Sequence, residues 1–254
     1  MLRIDVAAMD FRIIIYDLVD STLDVARKLK NVEEFTIILA KRQSKGRGRF
    51  NREWASPLGG LWFTTILYPQ RPAYTYSVLS LLTSLSVSKA IEKVTGLKPS
   101  IRWPNDVYLN NKKTAGVLIE SEISGDIIEK SLVGIGVNVN FRLEALPMEL
   151  RDKATTLLEE YGEPVDEHSL LTDILIFLRE YYGKYKRGQH NDIIADVKKA
   201  TDFIGNYALL DVKSGKIKAF IKDLDTYGNI IIESDGIVST LTPNDVERME
   251  VIKI

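Results

Sequence analysis

The stretch RWPNDVYLNNKKTAGVLIE, Arg102 to Glu120, holds two turn signals and the start of a long strand. Pro104-Asn105-Asp106 predicts a turn, and Asn110-Asn111-Lys112 the tip of a hairpin, because these residue types suit turn backbone. Lys113 then enters a strand that becomes strongly apolar at once. Read as structure alone, this is a pair of turns. Read as chemistry, a lysine at a strand mouth with an amide and a carboxylate upstream is equipment for handling phosphate. Asp106 could hold Mg²⁺, and Lys113 could neutralise charge on a phosphoryl or carboxylate oxygen.

Downstream, residues 115–123 and 127–140 are two β-like runs, and Ser124-Gly125-Asp126 between them predicts a hairpin. Apolar residues from Leu170 to Tyr182 recur at helical spacing, and 192–199 continues helically. After Gly205 the texture changes to short alternating runs (207–212, 217–224, 230–233, 237–241) with tight turns between them. That pattern predicts a small closed β-barrel and a boundary near residues 200–205.

Upstream, residues 12–18 predict a strand running into Asp20-Ser21-Thr22, and Ser21 with Asp24 has capping-box spacing for a helix to about Lys30. Residues 35–40 and 61–67 predict strands. Val78 to Val94 predicts a helix closed by Gly96. Only about eleven residues precede the first expected strand, too few for a helix-turn-helix. An exposed β edge suits a homodimer.

The basic stretch is QSKGRGRFNREW, Gln43 to Trp54. From Lys41 to Glu53 there are six basic residues against one acidic, while the whole chain carries −1. Three readings stand: a solvated hairpin tip, a nucleic-acid contact, or a site for a phosphate or carboxylate. Gly46 and Gly48 favour the third, since glycine allows positive φ and close backbone approach to a ligand. So many like charges are expected to repel one another and to order on binding. Neither this loop nor Gly134-Ile135-Gly136 completes a Walker or dinucleotide fingerprint.

Bulk composition narrows the classes. With 254 residues, 45% hydrophobic and 27% charged, a sizeable core is possible. No apolar run approaches a membrane span, no signal-peptide layout appears, and the cytoplasm is the expected compartment. The absence of cysteine removes disulfides, thiolate metal sites and cysteine nucleophiles, and two histidines leave little for a histidine-based site. Near-neutral charge argues against a dedicated nucleic-acid binder.

In this order and spacing, Val19–Thr22, Gln43–Trp54, Arg102–Glu120, Gly134–Asn140 and Ala154–Gly162 together resemble the biotin–protein ligases. The resemblance spans about Arg12 to Tyr182. It implies an α/β (α+β) catalytic domain on a mixed, class II synthetase-like sheet over residues 1–202, then a small SH3-like β-barrel over 203–254. It also implies ATP-dependent formation of biotinyl-5′-AMP and transfer to a lysine of a biotin carboxyl carrier protein, with ATP and Mg²⁺ as cofactors and no DNA or membrane partner. By resemblance, Lys113 and Arg49 are catalytic. Ser21, Thr22, Gln43, Gly46, Arg47, Gly48, Arg49, Lys113 and Gly116 bind biotin. Arg49, Arg52, Trp54, Asn105, Lys113 and Asn138 bind ATP, with Asp106 the metal ligand. Leu23 stands where the family usually has Asn, Arg102 where Lys is commoner, and Phe50-Asn51 where Arg-Gly is often seen. A lipoate or octanoate ligase shares the implied fold and is the first alternative; a nucleic-acid-binding module is the second.

Overall fold

Side-chain alternation along two long strands sets the architecture. The computed structural model describes residues 2–6 and 9–252. In chain order the strands are β1 (Leu2–Val6), β2 (Met9–Tyr16), β3 (Thr36–Ala40), β4 (Leu61–Leu67), β5 (Arg71–Pro72), β6 (Ser100–Arg102), β7 (Asp106–Leu109), β8 (Lys112–Ser124), β9 (Ile127–Val137), β10 (Tyr207–Val212), β11 (Gly215–Leu224), β12 (Ile230–Ser234), β13 (Ile237–Leu241) and β14 (Val246–Ile252). The helices are α1 (Thr22–Lys28), α2 (Tyr76–Thr95), α3 (Met148–Arg151), α4 (Leu157–Tyr161), α5 (Glu167–Lys186) and α6 (His190–Lys199).

The described residues form a nine-stranded sheet in the order β1-β2-β3-β4-β9-β8-β7-β6, with β5 beside β9. Only β2–β3 is parallel, so the sheet is mixed as expected. At its centre, cross-strand registers put Val117, Ile135 and Phe63 on one face and Leu118, Gly134 and Thr64 on the other. Val117, Ile135 and Phe63 share one buried cluster with Val78, Leu81, Leu82 and Leu85 of α2.

Helix α2 is buried almost all round, not on one stripe, because α5 and α6 cover its far side. Its serines and threonines make this close packing possible. Those inside return their hydroxyls to the backbone (Thr83 to Leu79 O, Ser84 to Ser80 O, Ser86 to Leu82 O), so no polar group there lacks a partner through burial. Gly96, left-handed at φ 73°, ends the helix as its sequence predicts.

The sequence expectations hold closely at three strands: β4, β10 and β13 fall on the predicted residues. Four elements differ. The strand expected over 12–18 runs from Met9 to Tyr16, and β1, which was not expected, pairs with it. Strand β14 lies in Val246–Ile252, where charges at Glu247, Arg248 and Glu250 hid the alternation. Ser21 occupies the N-cap of α1 without a side-chain cap bond, so the capping box does not form. Asp24 is occupied elsewhere, with two arginines.

The fourth difference concerns the expected barrel. Strands β10–β14 form a five-stranded antiparallel sheet in the order β13-β12-β11-β10-β14. Its end strands, β13 and β14, share no ladder among the described residues, so the pairing is an open path and not a closed barrel. One of its turns is seated in the main body. Trp103 Nε1 donates to Gly228 O at 2.8 Å, and Ser77 Oγ to Asn229 Oδ1 at 3.2 Å. Gly228 has φ +79°, and a Cβ there would lie 2.7 Å from Leu81. Gly228→Val is therefore expected to cost about 2–4 kcal/mol of stability, from backbone strain and overpacking together. Urea unfolding checks it, and an unchanged midpoint would show that this turn is not seated as described.

Candidate functional site

The second face of the central sheet is covered in part by α1 and is bare of side chains at its glycines. Gly116 lies opposite Gly136, and Gly134 lies between Thr64 and Leu118, so three glycines leave a trough over β8 and β9. A cavity of about 920 Å³ runs along that trough. Two side chains lie over it. Trp54 covers Gly116 and Gly136 so closely that a Cβ on Gly136 would fall 2.6 Å from its Nε1. Leu23 covers Gly134, where a Cβ would lie 3.2 Å from the leucine. Leu23 is buried with Ala26, Ile38, Ile66 and Leu132, so its apolar side chain is part of the packing of α1 on the sheet.

One end of the cavity is polar and uncharged. Gln43 Oε1 accepts from Thr22 N at 2.8 Å and Thr22 Oγ1 at 3.1 Å, while its Nε2 donates to Ser56 Oγ at 2.9 Å. Thr64 Oγ1 donates to Thr22 Oγ1 at 2.9 Å. This chain of buried groups fixes Thr22 and Gln43 beside Ser21. Gly46 completes it by close approach, since a Cβ there would sit 2.4 Å from Trp54 O. Gly48 has no such crowding. Neither of these two glycines has positive φ; that conformation falls on Phe50 and Asn51.

The basic loop borders the cavity, and its expected self-repulsion is offset from outside the loop. Arg47 makes a two-pronged pair with Asp24, both bonds 2.8 Å, and lies 3.8 Å from Glu120. Asp24 is held at about 2, below the ordinary carboxylate value, chiefly by the hydrogen bonds from Arg47 and further by those from Arg27, against the opposing effect of burial. Arg49 turns toward the second sheet and donates to the carbonyls of Pro243 and Val246. Burial draws its guanidinium below the ordinary value, and the charge of Asp106 opposes this. Arg52 stands at the surface, 4.0 Å from Glu247.

At mid-cavity, Lys113 Nζ lies 2.6 Å from Asp106 Oδ1 and 5.0 Å from the centre of the Trp54 ring. The backbone of Lys113 is clamped on both sides: its N–H donates to Lys153 O at 2.9 Å and its carbonyl accepts from Thr155 N at 3.0 Å. Asn138 Nδ2 donates to Thr155 O at 2.9 Å and thereby locks the same segment to the end of β9. Asn105 Nδ2 donates to Val117 O, and its own carbonyl accepts from Val117 N. Both asparagines line the cavity, yet each has its amide nitrogen committed to holding β8 in place.

Every candidate residue named from the sequence lines this one cavity, apart from Gly46, which supports it from behind. Among the described residues no group of three or more His, Cys, Asp or Glu could enclose a metal ion. Asp106 lines the cavity with its carboxylate paired to Lys113, and Glu53, Asp152, Asp211, Glu247 and Glu250 also border it.

The biotin/lipoate A/B protein ligase family matches residues 16–138. Over 242 residues the chain is 31% identical to the bifunctional ligase/repressor BirA of Bacillus subtilis, covering 94% of this chain and 74% of that protein. The chain belongs to the biotin/lipoate A/B protein ligase family. Over a shorter span of 104 residues it is 42% identical to the biotin–[acetyl-CoA-carboxylase] ligase of Paracoccus denitrificans, 40% of this chain and 43% of that one. Among solved structures, the biotin protein ligase of Aquifex aeolicus in complex with biotin and ATP superposes with a TM-score of 0.84 at 33% identity, covering 95% of this chain and 99% of that one.

The stretch matched to the biotin/lipoate A/B protein ligase family, 16–138, contains all the candidate residues from Ser21 to Asn138. Sequence reasoning missed Gly134 and Gly136, whose Gly-x-Gly spacing within a strand signals two bare positions on one face. It also missed Asp24 and Glu120, and the lining supplied by Val246 and Arg248 of β14. Those last residues lie over ninety positions beyond Ala154, the last lining residue of the first 202, and no local pattern in the sequence marks them.

Proposed function

We propose that this chain activates biotin with ATP to biotinyl-5′-AMP and transfers the biotin to a lysine of a biotin carboxyl carrier protein. One observation carries the reading. A single cavity joins an uncharged hydrogen-bonding end (Ser21, Thr22, Gln43) to a cationic middle (Arg47, Arg49, Lys113) with Trp54 above and glycine below. That sequence of surroundings matches biotin end to end: a ureido ring, an apolar chain, then a carboxylate that must meet the α-phosphate of ATP. Two anions repel as they approach. Lys113 lies where it can offset that repulsion, Arg49 and Arg52 border the space for the triphosphate, and Trp54 keeps water from the mixed anhydride. Asp106 is the residue we assign to Mg²⁺, which screens the phosphate charge when bound, and Asn105 and Asn138 border the nucleotide.

A lipoyl or octanoyl substrate has no group for the buried amide and hydroxyls at the polar end. Leaving such groups unmatched opposes binding, so the same wall that suits biotin discriminates against lipoate. Residues 1–202 form the catalytic unit in this reading, and 203–254 the unit that closes its far wall. The net charge of −1 gives no general attraction to DNA, so we expect no operator binding. No helix among the described residues is long and apolar enough to cross a membrane. We place the protein in the cytoplasm, with the edge of the large sheet available for a homodimer.

The test is direct. Incubation with biotin, Mg·ATP and a biotin carboxyl carrier domain should add one biotin to that domain, by mass. Leaving out ATP, replacing the carrier's target lysine by alanine, or substituting lipoate for biotin should each abolish the shift. Labelling that persists without the carrier lysine would contradict the second step, and labelling with lipoate would favour the alternative substrate.

A further inference from the structure

Arg47 is the one arginine of the basic loop whose charge is answered by carboxylates on two other elements. Asp24 on α1 takes a two-pronged pair from it, 2.8 Å on each side. Arg27, one turn along the same helix, binds Asp24 and also Glu120 of β8. Glu120 lies 3.8 Å from Arg47 and closes the ring. Two acids and two bases thus tie the loop, α1 and β8 together with no net charge.

The placement of the ring decides its meaning. Arg47 lines the cavity, while Asp24, Arg27 and Glu120 are absent from its wall. The carboxylates therefore approach the guanidinium from behind. A pair made this way uses two of its five N–H groups and leaves three for a ligand. Strand β8 presents Gly116, Leu118 and Glu120 on one face in succession, so the ring stands at the outer end of the same trough. An unattached arginine on a loop would have to give up its rotational freedom on binding. One already held gives up little.

We infer that Asp24 is a positioning residue, holding the Arg47 guanidinium against the cavity for an anionic substrate, with Arg27 and Glu120 completing the hold. This rests on the reading of the cavity as a biotin and ATP site. Asp24 touches no substrate in this assignment and acts through Arg47 alone.

The experiment measures biotin affinity by calorimetry and steady-state pyrophosphate release for Asp24→Asn, Asp24→Glu, Arg47→Ala and the Asp24→Asn/Arg47→Ala double variant. Asp24→Asn should weaken biotin binding about tenfold and raise KM to match, with kcat at saturation kept within about twofold. Asp24→Glu should recover most of the affinity. The double variant should bind no more weakly than Arg47→Ala, because the aspartate has nothing left to hold. Wild-type affinity in Asp24→Asn, or additive losses in the double variant, would overturn the inference while leaving the wild-type reaction established. Failure of the wild type to bind biotin would instead overturn the reading beneath it. Should Asp24→Asn not fold, Glu120→Gln carries the same expectation at a smaller size, and wild-type affinity there would overturn it equally.

Discussion

Lys113→Ala is expected to slow adenylate formation by about 10²–10³-fold, the usual scale for removing one preorganised electrostatic contact. The argument begins with the backbone. Hydrogen bonds to Lys153 and from Thr155 fix the main chain of residue 113, so truncating its side chain leaves the strand in place. What disappears is a cation 2.6 Å from Asp106 at the middle of the cavity. In the ground state biotin and ATP can be held by other groups. As the carboxylate closes on the α-phosphate, negative charge concentrates between them, and the loss of Lys113 is felt most at that moment. The loss should thus appear mainly in kcat, with a small fall in stability because Asp106 is left without its partner. Pyrophosphate release with biotin and Mg·ATP is the measurement. Lys112 is the natural control: it precedes Lys113 on the same strand and does not line the cavity. Near-normal release by Lys113→Ala, with a large loss in Lys112→Ala, would place the chemistry on the other lysine.

How much of this could be read from the chain follows from the range of the forces involved. The turn at Asn110-Asn111 was legible because both residues take left-handed backbone there, at φ 47° and 64°, and asparagine tolerates it. Likewise β4 was legible, since seven consecutive buried residues in a strand leave no other assignment. The charge partners of the basic loop were not. Asp24, twenty-three residues before Arg47, and Glu120, seventy-three after it, become neighbours only when α1 and β8 meet over the sheet. The expectation of a self-repelling loop failed for that reason: it counted charges along the chain, while the fold pairs them across it. The N-cap of α1 failed similarly, because a long-range ion pair took the carboxylate that the local capping box required. Arg49 is a third case. Its sequence position groups it with Arg47, yet its side chain joins the second sheet through two carbonyls, of Pro243 and Val246.

Gly136→Ala is expected to slow pyrophosphate release with biotin and Mg·ATP about 10²-fold while leaving the unfolding midpoint nearly unchanged. A methyl group at residue 136 would lie 2.6 Å from Trp54 Nε1 and 2.8 Å from its Cε2, distances that no carbon can keep. The opposing group is the ring of a side chain, so the indole moves and the sheet does not. Stability is little affected, because Trp54 is only half buried and Val133, Ile135 and Val137 on the opposite face stay packed. Function is affected in two ways. The roof over the trough shifts, and Lys113, 5.0 Å from the ring centre, loses the wall against which it rests. A displacement of about 1 Å in a positioning group is enough for a loss near 10²-fold. The cause can be isolated by pairing the change with Trp54→Ala. If the methyl acts through the indole, Gly136→Ala should cost little more once the indole is gone. A full, additive loss in that background would mean the methyl obstructs the ligand directly, and Trp54 would not be the roof this geometry makes it.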